Sequence, residues 1–263
     1  MLYLIIILVI IFLSYKLIDR HTHDIEINRK TLKSKNVNND FTILHLSDLH
    51  FNFNKKYQDK IVNLINKLDY DLITITGDYL NGEEYLVNLD MFLKKLENNK
   101  PIYAVLGNND QKFKKEIIDL FNDNNIYLLN NQNEKHILSD SYINIIGVDT
   151  PDLDKDDYNK AIKDINLKDN FNLLLSHTYH ITDKKSLDNI DLVLVGDTHG
   201  GQINLPLLNK IANRKFELKF RNGLYKLKDN KTLIVNKGIG TNILPFRINC
   251  KPELVLINIY KND

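Results

Sequence analysis

The chain has 263 residues, of which 43% are hydrophobic and 26% charged, with a formal net charge of +1. This length allows a substantial core in one large domain or two small ones, and the composition is that of a globular protein. The balanced charge, without a dense Lys/Arg block, argues against a nucleic-acid duplex as partner. Cys250 is the only cysteine, which excludes an internal disulfide and a thiolate metal cage.

The N-terminal segment is apolar. Residues 2–13 form an unbroken apolar run, which continues through Leu17 and Ile18 around Lys16. Because about 20 residues cross a bilayer core, we expect residues 1–20 to be an uncleaved single-pass transmembrane anchor, with membrane contact through residues 2–18. A secretory signal or a peripheral hairpin is the alternative. Basic residues follow the run, so the positive-inside rule predicts a cytoplasmic main domain, with an extracytoplasmic one left open.

A polar connector, residues 21–40, is expected before a domain spanning residues 41–263. The domain begins with three units in which a buried strand is followed by a polar loop and an amphipathic helix. The predicted strands cover residues 41–46, 71–76 and 101–106, and the helices residues 57–68, 84–96 and 112–121. Such units imply parallel strands with right-handed crossovers, so their polar loops gather along one edge of a sheet.

The second part of the chain is less regular. It contains predicted strands at residues 142–148, 172–177 and 191–195, with short helices after the first two. The acidic residues 152–157 lack the Gly and the terminal Glu of an EF-hand loop, so we expect a solvated loop there. Three more strands, at residues 223–227, 232–236 and 253–259, are interpreted as antiparallel additions that complete a second sheet.

Metal-competent side chains follow five of these strands. Parallel strands would bring them to one edge, where burying so many unpaired acids and histidines would cost several kcal/mol each without a cation. Two divalent ions, roughly 3.5–4 Å apart and able to clamp a phosphoryl group, resolve this cost. The seven candidate ligands are Asp48, His50, Asp78, Asn108, His177, Asp197 and His199.

These motifs, in this order, resemble the calcineurin-like metallophosphoesterase superfamily, whose pattern is D-x-H, G-D-x, G-N-H-D/E, H and G-H-x-H. The resemblance covers roughly residues 41–260. The C-terminal part is similar to bacterial membrane-associated phosphoesterases of the YkuE/YaeI type. That similarity rests on residues 196–206, 223–226, 237–241, 244–247 and 250–253.

The resemblance implies an α/β fold, a four-layer αββα sandwich of two mixed sheets. It also implies two divalent ions, Mn²⁺, Fe²⁺ or Zn²⁺. Asp48, His50 and His199 would hold one ion, and Asp78 would bridge both. Asn108, His177 and Asp197 would hold the other. Substrate contacts would come from Asn108, Asn109 and Arg247, with Asn109 and Asp78 as the catalytic residues.

Two positions depart from the family pattern. Asp197 replaces the first histidine of G-H-x-H, and this carboxylate would make the second metal site more anionic. Asn109 replaces the histidine of G-N-H-D/E, and an asparagine cannot act as a general acid near neutral pH. This favours substrates whose leaving group needs little protonation, such as diesters and pyrophosphates. His180, three residues after His177, is an alternative donor, whereas His45 is expected to pack within its strand.

The sequence therefore predicts a membrane-anchored phosphohydrolase, most simply a phosphodiesterase or pyrophosphatase in which a metal-bridging hydroxide attacks phosphorus. Its substrate would be a phosphate ester or a pyrophosphate, with lipid-linked compounds and nucleotides both included. The alternative is a catalytically weak or inactive metal-binding module at the membrane. A phosphomonoesterase is disfavoured by the missing general acid.

Overall fold

Two mixed sheets of six strands each form the body of the protein in the part that the computed structural model describes. That part comprises residues 2–52, 54–96, 100–139, 141–205 and 219–262. The first sheet has the order β1-β12-β2-β3-β4-β5. Its strands are β1 (Glu26–Ser34), β2 (Phe41–Leu46), β3 (Leu72–Thr76), β4 (Ile102–Val105), β5 (Tyr127–Leu128) and β12 (Glu253–Lys261).

The second sheet has the order β10-β11-β9-β8-β7-β6. Its members are β6 (Gln132–Leu138), β7 (Ser141–Gly147), β8 (Asn172–Leu175), β9 (Leu192–Val195), β10 (Gly223–Lys226) and β11 (Thr232–Val235). Strands β7, β8, β9 and β11 run parallel, while β6 and β10 pair antiparallel at the two edges.

Helices cover the outer faces of the sheets. On the first sheet lie α2 (Lys55–Ile65), α3 (Leu86–Lys94) and α4 (Lys114–Asp123), and on the second α5 (Tyr158–Ala161) and α6 (Ile181–Lys184). Short 3₁₀ turns occupy Glu83–Tyr85, Asn109–Phe113, Pro151–Leu153, His199–Gly201 and Lys228–Asn230. Helix α1 (Leu2–His23) precedes the first sheet. The two mixed sheets with their helices agree with the predicted fold class.

The core is divided by the sheets into three apolar layers. Alternate residues of each strand enter different layers: Ile43 packs between the two sheets, whereas Leu44 packs under the helices of the first. Strands buried on both faces read as nearly continuous apolar runs, which is why β2, β3 and β9 were recognisable in the sequence. The middle layer clamps the sheets together and fixes their strand ends side by side.

Residues 21–40, expected to be a polar connector, include strand β1, which pairs with β12 in parallel from Glu26↔Glu253 to Ser34↔Lys261. Two expectations about the second sheet were wrong in detail. Strand β12 does not complete the second sheet but lies in the first, antiparallel to β2. Strand β11 runs parallel to β9. The polar pattern of β1, an edge strand, gave little signal, and the short β5 and polar β6 were not predicted.

The transmembrane helix expected at residues 1–20 is also not borne out. Within the described residues, none of the helices combines the length and the apolar character that crossing a membrane requires.

Candidate metal centre

The candidate ligands converge because five parallel strands end at the same edge of the two packed sheets. Strands β2, β3 and β4 of the first sheet lead to Asp48/His50, Asp78 and Asn108, and β8 and β9 of the second lead to His177 and to Asp197/His199. Two clusters result whose ligand atoms lie within 4.8 Å of one another and could hold a metal ion. They are Asp48–His50–His199 and Asp48–Asp78–His177.

Five of the candidate ligands have left-handed backbone conformations. The φ angles are 49° for Asp48, 42° for His50, 55° for Asp78, 70° for Asp197 and 49° for His199. Each such residue costs about 1–2 kcal/mol relative to ordinary backbone. Strain of this kind persists only where the surroundings impose it, and it concentrates at functional sites. The fold therefore accepts a cost in stability, and the strained backbone directs these five side chains toward one site.

Glycines beside the carboxylates allow the close approach. A Cβ atom on Gly107 would overlap the carboxylate of Asp78, and one on Gly196 would overlap Asp48 and Ser47. The Gly that precedes Asn108 and the Gly that precedes Asp197 thus leave space for a ligand from another strand.

The first half of the centre consists of Asp48, His50 and His199, all almost completely buried. The Nε2 atoms of the two histidines are 3.1 Å apart, and His199 Nε2 lies 3.4 Å from Asp48 Oδ1. Two imidazole nitrogens and a carboxylate oxygen thus face one small volume. This set of donors suits Mn²⁺, Fe²⁺ or Zn²⁺.

Neighbouring groups hold both imidazoles by their other nitrogen. Asn81 Oδ1 accepts from His50 Nδ1 at 2.8 Å, which leaves Nε2 of His50 with its lone pair. Arg247 Nη2 lies 3.3 Å from His199 Nδ1 and donates to the Gly240 carbonyl at 2.6 Å, so the His199 ring is packed against a fixed guanidinium. For His50, fixing Nδ1 sets the tautomer and orients Nε2 as a ligand.

The second half consists of Asp78, Asn108, His177 and Asp197. His177 Nδ1 donates to the Thr76 carbonyl at 2.7 Å, so Nε2 is the free nitrogen. That atom lies 3.0 Å from Asn108 Oδ1, 3.5 Å from Asp78 Oδ1 and 3.6 Å from Asp197 Oδ1. The side chain of Asp197 is 34% exposed, so this half opens to solvent, unlike the first.

Asp78 lies between the two halves. Its Oδ2 is 3.4 Å from His50 Nε2 and its Oδ1 is 3.5 Å from His177 Nε2. A carboxylate with one oxygen facing each half has the geometry of a bridge between two ions. Asp48 belongs to both clusters and is a second carboxylate shared between them.

Asn109 contacts the bridging carboxylate directly. Its backbone N–H donates to Asp78 Oδ1 at 3.0 Å, and its side-chain Nδ2 donates to Asp78 Oδ2 at 2.6 Å. The amide thus occupies the position of the family histidine and supplies hydrogen-bond donors, but no acid.

The ionisation of the cluster reflects its burial and its crowding. Burial raises the pKa of Asp48 to about 7, with His177 opposing this rise and Asp78 adding to it. Burial lowers the pKa of His177, but the carboxylates of Asp78, Asp48 and Asp197 outweigh it and raise that pKa to about 10. Burial also lowers the pKa values of His50 and His199, which favours neutral rings able to bind metal.

The donor set fits divalent metal ions. Among the ion pairs of the described residues, the carboxylates of Asp48 and Asp78 meet only histidines and neither Lys nor Arg. The raised pKa of His177 gives these carboxylates one positive partner, but one imidazolium does not balance two or more buried carboxylates, each of which costs several kcal/mol when unpaired. Metal cations would remove that cost. The fold therefore assembles a binding site for divalent metal ions.

Two supporting residues escaped the sequence analysis. Asp110 is buried, and its carboxylate accepts from the backbone N–H groups of Gly107 and Asp78 at 2.7 Å and of Tyr79 at 2.9 Å. It ties the loop after β3 to the loop after β4. Asp110 stood in the motif G-N-x-D, which was a usable signal, whereas Asn81 had none.

Arg247, predicted to contact substrate, lies beneath a candidate metal ligand. Its side chain is fully buried, and its guanidinium donates to the carbonyls of Gly240 and Lys237 and lies 3.3 Å from His199 Nδ1. These contacts position Arg247 against His199, and its contact with substrate stays a prediction.

The structure also shows the positions of His45, His180 and Cys250. His45 is buried within its strand, with its ring 3.2 Å from Thr74 Oγ1, as expected. His180 is exposed at the start of α6, and Cys250 is buried. Pro206, part of the C-terminal resemblance, lies outside the described residues.

A family comparison agrees with this geometry. Residues 41–201 match the model of the calcineurin-like phosphoesterase family, and this range includes every candidate ligand. The chain therefore belongs to the calcineurin-like phosphoesterases, a family of metal-dependent phosphoester hydrolases.

Individual relatives extend the match beyond that range. The chain is 27% identical to the uncharacterized metallophosphoesterase YkoQ of Bacillus subtilis (strain 168), over 92% of this chain and 93% of the relative. It is also 27% identical to YkuE of the same organism, over 90% and 86%. Among solved structures, TT1561 of Thermus thermophilus superposes with a TM-score of 0.52 at 15% identity, covering 76% of this chain and 90% of that one, which supports the fold alone.

Proposed function

We propose that the protein is a two-metal phosphohydrolase that acts on phosphodiesters or pyrophosphates. The observation that carries this proposal is the placement of Asp78, whose two carboxylate oxygens face a histidine from each half of the centre. Two divalent ions, Mn²⁺, Fe²⁺ or Zn²⁺, would be held by Asp48, His50 and His199 on one side and by Asn108, His177 and Asp197 on the other, with Asp78 between them. Bound there, the ions supply Lewis-acid chemistry and a nucleophile at neutral pH.

The protein's own side chains position the two halves of the centre and stabilise charge on the substrate. Asp78 keeps both halves in register and is itself fixed by Asn109 and by the Asp110 loop. Asn108 and Asn109 present amide donors at the solvent-open half, where they can stabilise negative charge on a phosphoryl oxygen. The buried first half excludes water, which strengthens the electrostatic interactions of its own ligands, Asp48, His50 and His199.

The leaving group is expected to depart without help from an acid of the family type. Asn109 cannot transfer a proton near neutral pH, and exposed His180, at the N-cap of α6, acts on Asp197 only through its charge and is not one of the clustered ligands. Diesters with good leaving groups and pyrophosphates need little protonation. This favours them over alkyl monoesters.

The direct test compares the full chain with Asp78→Asn for hydrolysis of bis(p-nitrophenyl) phosphate in Mn²⁺. Loss of the bridge should lower kcat by more than about 10²-fold, since removing one preorganised electrostatic group already costs that much. Asp119→Asn, an exposed acid on α4, is the matched control and should leave kcat unchanged. Equal turnover by the Asp78→Asn variant would refute the two-metal mechanism.

A membrane location for the enzyme is part of the proposal. Helix α1 exposes large apolar side chains on all sides, including Ile7, Leu8, Ile11 and Leu13. Such a surface is unfavourable in water and favourable against lipid. We propose attachment through residues 2–18, with the catalytic domain on the cytoplasmic face and a lipid-linked phosphate ester or pyrophosphate as substrate.

The lipid assignment is tested by adding charge to helix α1. The double substitution Ile7→Lys and Ile11→Lys should weaken vesicle binding and slow hydrolysis of a lipid-linked pyrophosphate in vesicles, while a soluble diester is cleaved as before. Equal rates for both substrates in both proteins would remove the support for a lipid-linked substrate.

The geometry at Asn109 favours one alternative, a metal-binding module with little or no activity. Its amide is bonded to the bridging carboxylate rather than directed at a leaving group. Metal analysis separates the two functions: two ions per chain with turnover support the enzyme, and one ion or none without turnover supports the module.

A further inference from the structure

An apolar loop, residues 241–246, protrudes near the base of helix α1. Ile243 at its tip is 97% exposed, Leu244 is 43% exposed, and Pro245 beside them is also exposed. Adjacent exposed aliphatic side chains on a loop are typical of an interaction surface rather than of random surface composition. We propose that the apolar loop inserts its tip into the interface of a phospholipid bilayer, as a membrane contact separate from α1.

A network of hydrogen bonds holds the tip of the apolar loop in its exposed position. Gln202 Oε1 accepts from the backbone N–H of Asn242 at 2.9 Å, and Gln202 Nε2 lies 3.2, 2.7 and 3.0 Å from the carbonyls of Asn242, Leu244 and Phe246. Asn242 Oδ1 accepts from the N–H of Ile243 at 2.8 Å, and Ile243 has a φ of 32°. A β-branched residue rarely adopts a positive φ, so the loop is shaped to present this side chain.

The apolar loop lies beside the end of α1. The N–H of Arg247 donates to Thr22 Oγ1 at 2.9 Å, and the N–H of Asn249 donates to His21 Nδ1 at 3.2 Å, which fixes the loop beside the last turn of α1. Thr22 follows Ile18, the last residue of the apolar run, by four residues or about 6 Å of helix. The apolar run that we propose to attach to lipid therefore ends close to the apolar loop.

The charges around this region favour an anionic surface. Lys251 and Arg20 both approach Asp24, at 2.6 and 3.7 Å, and Lys60 donates to the His23 carbonyl at 2.8 Å. Asp19, which contacts His23 at 2.9 Å, is a second acid in this region, so three cations accompany two acids and leave a small excess of positive charge near the end of α1. Such charge attracts the phosphate groups of anionic lipids.

The contact would also orient the metal centre. A cavity of about 230 Å³ is lined by Thr22, His23 and Pro245 on its outer side and by Leu49 and His50 on its inner side. Docking of the apolar loop places the outer side of this cavity at the bilayer surface, next to a candidate metal ligand. Gln202 lies three residues from His199, so one segment carries both the ligand and the loop clamp.

The chain contains no tryptophan, so a single introduced indole reports on the loop. The full-length Ile243→Trp variant is mixed with phosphatidylcholine–phosphatidylglycerol vesicles whose acyl chains are brominated. The expected result is a blue shift and loss of most of the indole emission. The matched control is Ile137→Trp, at a 74% exposed position on the edge strand β6, which should keep its emission.

Sedimentation of the same samples separates this proposal from the proposed attachment through α1, on which it partly rests. Vesicle-bound protein with an unquenched indole at position 243 overturns the loop contact and leaves the α1 attachment intact. Protein that stays in solution overturns both. A blue shift without vesicles that grows with protein concentration identifies a second copy of the chain as the occupant, and also overturns the bilayer contact.

Discussion

The two halves of the metal centre differ in how firmly they are held. In the first half, His50 and His199 are buried, and the second nitrogen of each contacts a fixed neighbour, Asn81 for His50 and Arg247 for His199. The second half opens to solvent at Asp197 and contains both departures from the family pattern, Asp197 and Asn109. The closed half therefore holds its candidate ligands more rigidly, and the open half is where the chain can differ from its family in substrate.

The largest expected effect tests the open half. Asn109→His restores an imidazole next to Asp78, and a positioned general acid contributes about 10²- to 10⁴-fold to rate. We expect a gain of this size in kcat/KM for an alkyl phosphomonoester and little change for p-nitrophenyl phosphate, whose leaving group needs no proton. Asn109→Gln keeps the amide and should show no gain. If Asn109→His also shows no gain in kcat/KM, the missing general acid is not what limits monoester hydrolysis at the open half.

Removing metal tests both halves together. With metal at about 100 times its Kd, the bound form should be more stable by about 2.7 kcal/mol. The pKa of Asp48 is raised from 3.8 to about 7, so the metal-free fold loses stability as pH rises through that range. The pKa of His177 is raised from 6.5 to about 10, so the metal-free fold continues to lose stability as pH rises from 6.5 to about 10.

The difference in unfolding free energy between metal-bound and metal-free protein should therefore widen as pH rises from mildly acidic to mildly alkaline values. Urea unfolding of the full chain, with Mn²⁺ and with chelator, measures this difference at each pH. A difference that narrows with rising pH would contradict carboxylate and imidazole ligation at this centre.

A smaller effect sharpens the role of the closed half. Asn81→Ala removes the partner of His50 Nδ1 and should lower the affinity for one of the two ions about 10- to 100-fold, since a group that orients a metal ligand contributes that much. Asn88→Ala is a matched control, because Asn88 donates to the Asn52 carbonyl on the same loop region and not to a ligand. Titration calorimetry measures the Mn²⁺ affinity of both variants. Equal affinities of Asn81→Ala and Asn88→Ala would mean that His50 needs no orienting partner.

The smallest effect concerns Asp197→His, which restores the family residue. An imidazole replaces a carboxylate at the solvent-open rim, so turnover should persist while the preferred second ion shifts from Mn²⁺ toward Zn²⁺. Activity profiles across added metals check this prediction. Loss of turnover would show that the carboxylate is required in this chain.

Most of the candidate metal ligands could be predicted because the sequence motif that marks each of them spans only a few residues. A buried strand followed by Asp-x-His or Gly-Asp is visible within a few residues, and parallel strands bring such ends together. The convergence of the candidate ligands followed from that logic, whereas the bridging role of Asp78 rested on the family resemblance. What could not be predicted depended on long-range packing: the burial of Arg247 under His199, and the contact of Asn81 with His50.

The errors in the fold have the same origin. Strand β1 lies at a sheet edge and alternates between exposed and half-buried side chains that are mostly polar, so its pattern does not distinguish it from a connector. Strand β12 is apolar enough to be recognised, but periodicity does not say which sheet it joins. Register between residues more than 200 positions apart is determined by the assembled core, not by the local pattern.

The position of β12 between β1 and β2 has a consequence for how the protein is made. On the ribosome, β2 and its ligands Asp48 and His50 emerge before β12, the strand that flanks β2 and lies more than 200 positions further along the chain. Pairing across such separations is slow because a long loop must close first. The metal centre can therefore reach its final shape only after β12 has been made, and until then this edge of β2 is open to pairing with other strands.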